Sequence, residues 1–208
     1  MPIPTLIPIE FAYKILDAYP DFPSKGSPGS PPLPPDFRPG LPYGAQFRRA
    51  ASYFGDAQWI AARRYTCQTW AKAGLDAYCY RFNTDVAGLP AELGATHFQE
   101  VAFVFHNTDG LGYAVNPFQD MSESYFDLAT LMSSSWASFI HDLDPNSWRA
   151  RGQWKNKRTP LWPKYNSRNP QDIVWDANFT GLAVVEKDNF RASSISLIIS
   201  HFADIYDL

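Results

Sequence analysis

GATHFQEVAFVF, residues 94–105, sets His97 one turn ahead of Glu100 and just before a dense apolar run, behind a flexible Gly-Ala-Thr lead. The run at 101–105 is short enough to be either a strand or a buried turn of helix, because periodicity does not separate the two at this length. His97 has two readings. It is either a structural imidazole seated in a core or a proton-transfer residue presented on a loop. The second reading requires partners elsewhere in the chain.

The 208 residues are enough for one ordinary domain with a sizeable core. A hydrophobic share of 45% with 19% charged residues is a globular balance and argues against disorder over most of the length. A net charge of -3 gives no electrostatic case for nucleic acid or for an anionic membrane surface. No apolar run approaches the roughly 18 residues that a membrane span requires. The opening MPIPTLIPIEF lacks a basic region and holds too many prolines for a signal peptide.

Outward from residues 94–105, the chain alternates helical and extended patterns. Residues 8–19 carry Ile9, Ala12, Ile15, Leu16 and Tyr19 at helical spacing. A proline-rich connection at 20–42 is expected to be an extended, solvent-exposed loop. Residues 44–73 read as helix, broken near Gly55-Asp56 with Asp56 capping the second half, and Gly74 is a natural stop. AYCYRFN, 77–83, alternates Tyr78, Tyr80 and Phe82 against Cys79 and Arg81, the pattern of a strand.

Residues 124–144 form a helix with Phe126, Ala129, Met132, Trp136, Phe139 and Ile140 on one face, ended by Asp144-Pro145-Asn146. The serines at 133–135 fall inside it as small packing residues. Residues 147–171 read as a solvated basic loop. GLAVVEK, 181–187, is a last strand, and Asp188 is expected to cap a helix through ISLIISHF. The alternation indicates an α/β architecture in a single unit.

Chemistry is sparse. A histidine acting on a serine needs that serine on a G-x-S-x-G turn, and none of the 12 glycines has a serine two residues on. The glycine pair Gly110 and Gly112 follows the histidine, whereas oxyanion donors come from a loop far before it. His97-x-x-Glu100 is not a zinc pattern, and no metal or cofactor is expected. Cys67 and Cys79 could form one bridge or remain two buried thiols, and thiols are the expectation. Taken alone, His97 reads as structural, as do His106, His141 and His201.

Several stretches together resemble the C-terminal part of the type-B carboxylesterase and lipase family, the cholinesterase-like branch of the α/β-hydrolases, in its fungal form. The carrying residues are Gly94-Ala95-Thr96-His97-Phe98-Gln99-Glu100 with the run at 101–105, and Met132, Trp136 and Phe139 before Asp144-Pro145-Asn146. Trp162-Pro163-x-Tyr165, the glycine-rich residues 106–118 and the AYCYRFN strand complete the set, in family order from about residue 8 to 200.

The resemblance implies a partial α/β-hydrolase fold: residues 1–208 would be the C-terminal part of a carboxylesterase domain. It implies that His97 is the triad base and that Glu100 supports the histidine loop without being the triad acid. The acid of the family sits upstream in a segment ending Glu-Gly, and no Glu here precedes a Gly. The chain is therefore expected to start after the acid and the nucleophile, lack the oxyanion hole, and be inactive alone. The missing N-terminal part of the hydrolase domain would be its partner, and a lipid or small carboxylic ester the substrate.

Secretion, implied by the same resemblance, would make Asn178-Phe179-Thr180 a used glycosylation sequon and a Cys67–Cys79 bridge more plausible. The alternative reading is a non-catalytic, cholinesterase-like binding or interaction module.

Overall fold

The computed structural model describes residues 8–21, 44–90, 93–152, 154 and 158–203. Nearly all of the proline-rich stretch expected at 20–42 lies outside the described residues.

Among the described residues a three-stranded mixed sheet runs β1 (Tyr80–Phe82), β2 (Gln171–Trp175), β3 (Ala183–Lys187) in that order. β1 pairs parallel to β2, with Tyr80 opposite Ile173 and Phe82 opposite Trp175. The backbone bonds continue past β1 at both ends, from Ile173 N–H to the Cys79 carbonyl and from Asn83 N–H to the Trp175 carbonyl. A parallel pair needs a long crossover, and here it contains α4 (Val101–Val104) and α5 (Glu123–Asp142). β2 and β3 form an antiparallel hairpin, closed by Asp176 N–H donating to the carbonyl of Leu182.

The sequence reading does not anticipate β2. A strand buried on both faces shows no alternation, and four of its five residues are buried, including Asp172. The run at 101–105 resolves as helix. Val101–Val104 make one α-turn whose Phe103 N–H and Val104 N–H both donate to the Glu100 carbonyl. Phe103 is fully buried against Phe82 and Phe118. Burying such a ring contributes about 3 kcal/mol.

α5 packs along α4 and the sheet through Tyr125, Leu128, Ala129, Leu131, Met132, Ser135 and Ser138. Of the face expected from the sequence, only Ala129 and Met132 are fully buried; Phe126, Phe139 and Ile140 are exposed. The helix is turned so that two serines face inward, and each has a partner that removes the penalty of burial. Ser135 Oγ donates to the Leu131 carbonyl, and Ser138 Oγ donates to the carbonyl of Asp144 beyond the helix end. Leu143 in the left-handed region terminates α5.

Residues 147–171 are less solvated than their charge suggests. Trp148, Trp162 and Tyr165 are buried, although Arg151 and Lys164 are exposed. Asn146 ties the segment down, its Nδ2 donating to the Trp162 carbonyl and its Oδ1 accepting from Trp162 N–H. Trp162 Nε1 then donates to the Cys79 carbonyl beside β1.

A second apolar cluster joins α1 (Ile9–Ala18), α3 (Ala61–Lys72) and α6 (Ala192–Ile199) through Phe11, Ile15, Tyr19, Ala57, Ala61, Ile195 and Ile198. The expected break near Gly55-Asp56 does not occur. α2 (Phe47–Gly55) continues through one π-turn, Asp56–Ile60, into α3, with Gly55 itself helical. Asp56 does not cap. Its fully buried carboxylate accepts from the Tyr19 hydroxyl at 2.8 Å and from Arg191 Nε and Nη2 at 2.7 and 2.6 Å. Gly74, at φ +78°, ends α3 as expected.

Asp188 does not cap either, since α6 begins at Ala192. Three donors hold its carboxylate: Arg63, Arg64 and the Tyr165 hydroxyl, at 2.8, 2.7 and 2.8 Å. Burial works to raise the Asp188 carboxyl, yet hydrogen bonds from Arg64 and the charge of Arg63 hold it below the usual range. The expectation of free thiols is also corrected: Cys67 of α3 and Cys79 before β1 are disulfide-bonded. Tyr165 and Ala77 pack against the bridge.

Candidate active site around His97

β1 ends at Phe82, and the chain returns through the loop that carries His97 before α4 begins. His97 opens a turn, residues 97–100, and is exposed. Phe98 sits at φ +76°, a conformation uncommon for a bulky side chain, and Gly94 before it lies at φ +64°. The two positive-φ residues fold the loop tightly and push the imidazole outward while α4 anchors the far side in the core. The buried-imidazole reading therefore fails for His97.

The imidazole lies flat against Trp59, ring centroids 3.9 Å apart and planes 13° from parallel, and meets Phe98 edge-on at 6.1 Å. Among the described residues, no hydrogen bond reaches either ring nitrogen, and no carboxylate or hydroxyl stands as its partner. Trp59 comes from the π-turn, ahead of β1 in the chain, and is 48% exposed. The sequence reading placed Trp59 only within a helix; nothing in its spacing marked it as a neighbour of His97.

Glu100 caps α4 through its carbonyl, and its carboxylate faces the Tyr80 hydroxyl of β1. Burial, then the Glu100 charge, push Tyr80 up to about 12. The Glu100 carboxylate thus links the end of the histidine turn to β1.

The other candidates disperse. His106 contacts Thr130 Oγ1 at 3.1 Å on the surface, and His201 stacks on Phe11 at 4.1 Å. His141 and Asp142 lie with Ser147 near the end of α5, but the carboxylate sits between the imidazole and the hydroxyl. A triad needs the imidazole in that middle place. Gly110 and Gly112 belong to a turn whose Gly110 N–H and Leu111 N–H already donate to Asn107, so those two donors are engaged. Asn178 is exposed in the β2–β3 turn, with the Tyr125 hydroxyl beside its side chain. Among the described residues, no group of three His, Cys, Asp or Glu side chains could hold a metal ion, and no helix is long and apolar enough to cross a membrane.

A mixed sheet flanked by helices is the arrangement of an α/β protein. The sequence model of the carboxylesterase family matches residues 43–191, and the chain belongs to that family. Among the described residues that span holds all three strands, His97, Glu100 and the disulfide, while α1 and α6 lie outside it. Family membership carries the α/β-hydrolase fold, and the small mixed sheet is compatible with part of one. No curated protein sequence matches the chain.

Proposed function

We propose that this chain supplies the histidine-bearing part of a serine-type carboxylic-ester hydrolase acting on a lipid or small ester. His97 is the general base: it takes the proton of the attacking serine and returns it to the leaving alcohol. The observation that carries the reading is the display of His97, which is exposed on a strained turn directly backed by the buried α4. Glu100 supports that turn against Tyr80.

The sequence has no G-x-S-x-G turn. The nucleophile, the acid and the oxyanion donors therefore come from residues outside this chain, the remainder of a hydrolase domain. Alone, the chain lacks the pre-positioned nucleophile that gives a base its advantage, and it does not turn over esters above the background of free imidazole. The second reading, a non-catalytic binding module, is favoured by the absence of a hydrogen-bonded partner on His97 among the described residues.

The two separate in one experiment. A reading frame upstream of Met1 is examined for a G-x-S-x-G turn, and the joined polypeptide is assayed on p-nitrophenyl butyrate. The hydrolase reading expects such a turn and a loss of about a thousandfold or more in kcat on His97→Ala. A joined polypeptide without the turn, or with kcat indifferent to His97→Ala, overturns the hydrolase reading and favours the module.

The setting we propose is extracellular. The Cys67–Cys79 bridge fits an oxidising compartment, and the exposure of Asn178 and Thr180 in the Asn178-Phe179-Thr180 turn fits glycosylation. Expression in a secreting host, with and without Asn178→Gln, tests this: a mass loss equal to one glycan in the variant supports it, and equal masses apart from the substitution oppose it.

A further inference from the structure

We propose that Trp59 is a positioning residue for His97, holding the imidazole plane so that the edge bearing both nitrogens faces outward. The proposal rests on the reading of His97 as a base and adds to it the device that orients the ring. Among the described residues the ring contacts are aromatic, and the flat one is the Trp59 indole at 3.9 Å and 13°. A base without a hydrogen-bonded orienter can still be oriented by packing, because a locked rotamer is what places a reacting atom.

The π-turn makes the contact possible. An α-helix advances 100° per residue, so one extra residue in a turn rotates every side chain after it by about that angle. The helix from Phe47 to Lys72 carries that insertion at Asp56–Ile60, the turn that bears Trp59. Wide turns of this kind are weaker than regular helix, and this one is fixed from inside. Asp56, fully buried, is bound to the Tyr19 hydroxyl of the chain after α1 and to Arg191 before α6. The ion pair holds the turn; the turn aims Trp59; Trp59 covers one face of His97. A half-exposed tryptophan on the surface thereby has a structural reason for its place.

The test uses the 208-residue chain, labelled for NMR, with the His97 ring resonances assigned by their loss in His97→Gln. An indole stacked face-on shifts the ring protons of His97 upfield. In Trp59→Leu these resonances are expected to move downfield, and the order parameter of the His97 Cε1–Hε1 bond to fall from the rigid range near 0.85 to below about 0.6. Trp59→Phe is expected to restore much of both. Trp59 is half exposed, so Leu should leave the fold intact, which far-ultraviolet circular dichroism checks in the same samples. Resonances and order unchanged in a folded Trp59→Leu protein would overturn the proposal.

In the joined polypeptide, Trp59→Leu is expected to lower kcat about tenfold or more with KM unchanged, and an unchanged kcat would overturn the positioning role. If the joined polypeptide shows no turnover at all, the hydrolase reading fails while the NMR result still decides the stack.

Discussion

Asp172 offers the sharpest test of the electrostatics built into the sheet. It lies on β2 with 2% of its surface exposed, and its Oδ1 has no hydrogen-bond partner among the described residues. Burial, first, and then the negative charges of Asp188 and Glu186 push its carboxyl up to about 6, against the attraction of Arg63 and Arg81. Arg63 is 3.5 Å away, but its closer bond is to Asp188 at 2.8 Å. A carboxyl raised from 3.8 to about 6 in the folded state binds a proton more readily there than in the unfolded chain. The folded state is therefore favoured by that proton at low pH. The contribution is lost as pH rises from about 4 to about 6, at a cost of about 3 kcal/mol.

Asp172→Asn keeps the shape and removes the charge. It should stabilise the protein at pH 7 by about 1–3 kcal/mol, the lower end allowing for the lost attraction to Arg63. Near pH 4 the gain should vanish, because the wild-type carboxyl is then protonated too. Urea unfolding of both proteins between pH 4 and 8 reads the difference directly and cancels the titration of groups they share. A variant less stable than wild type at pH 7, with the gap closing toward pH 4, would refute the reasoning: it would make Asp172 a well-paired anion of Arg63.

Two further perturbations probe the same framework. Replacing both Cys67 and Cys79 by alanine should cost about 3 kcal/mol, the loop-closure value for a separation of 12 residues, measured by urea unfolding under oxidising conditions; an unchanged midpoint would mean that the two sulfurs are not joined in solution. Asp188→Ala removes a shared partner of Arg63, Arg64 and Tyr165 at once and should cost about 3–5 kcal/mol in the same assay, because the buried Arg64 guanidinium is left without its carboxylate. A loss under 1 kcal/mol would show that water replaces the carboxylate.

Much of this fold was legible in the sequence where pattern and geometry share a period. The helices at 9–18, 61–72 and 123–142, the Gly74 stop, the strand near Tyr80 and the strand before Asp188 all follow from spacing. The misses have physical causes. β2 is buried on both sides and so carries no alternation; α5 turns two serines inward because each finds an acceptor that pattern reading does not see. Asp56 and Asp188 both precede helical residues, as caps do, yet each was taken by arginines distant in the chain, a partnership that only the tertiary fold creates. The candidate site divides the same way. His97 and Glu100 are singled out as candidates by their segment, whereas Trp59 comes from an element whose contact with His97 no local signal announces.

We propose that His97 is a base whose nucleophile lies outside this chain. The most direct test of that proposal is hydrolysis of p-nitrophenyl butyrate by the purified 208-residue protein beside its His97→Ala variant. The two rates should match each other and that of a solution of free imidazole. Saturable turnover abolished by His97→Ala would contradict it and place a working nucleophile within these residues.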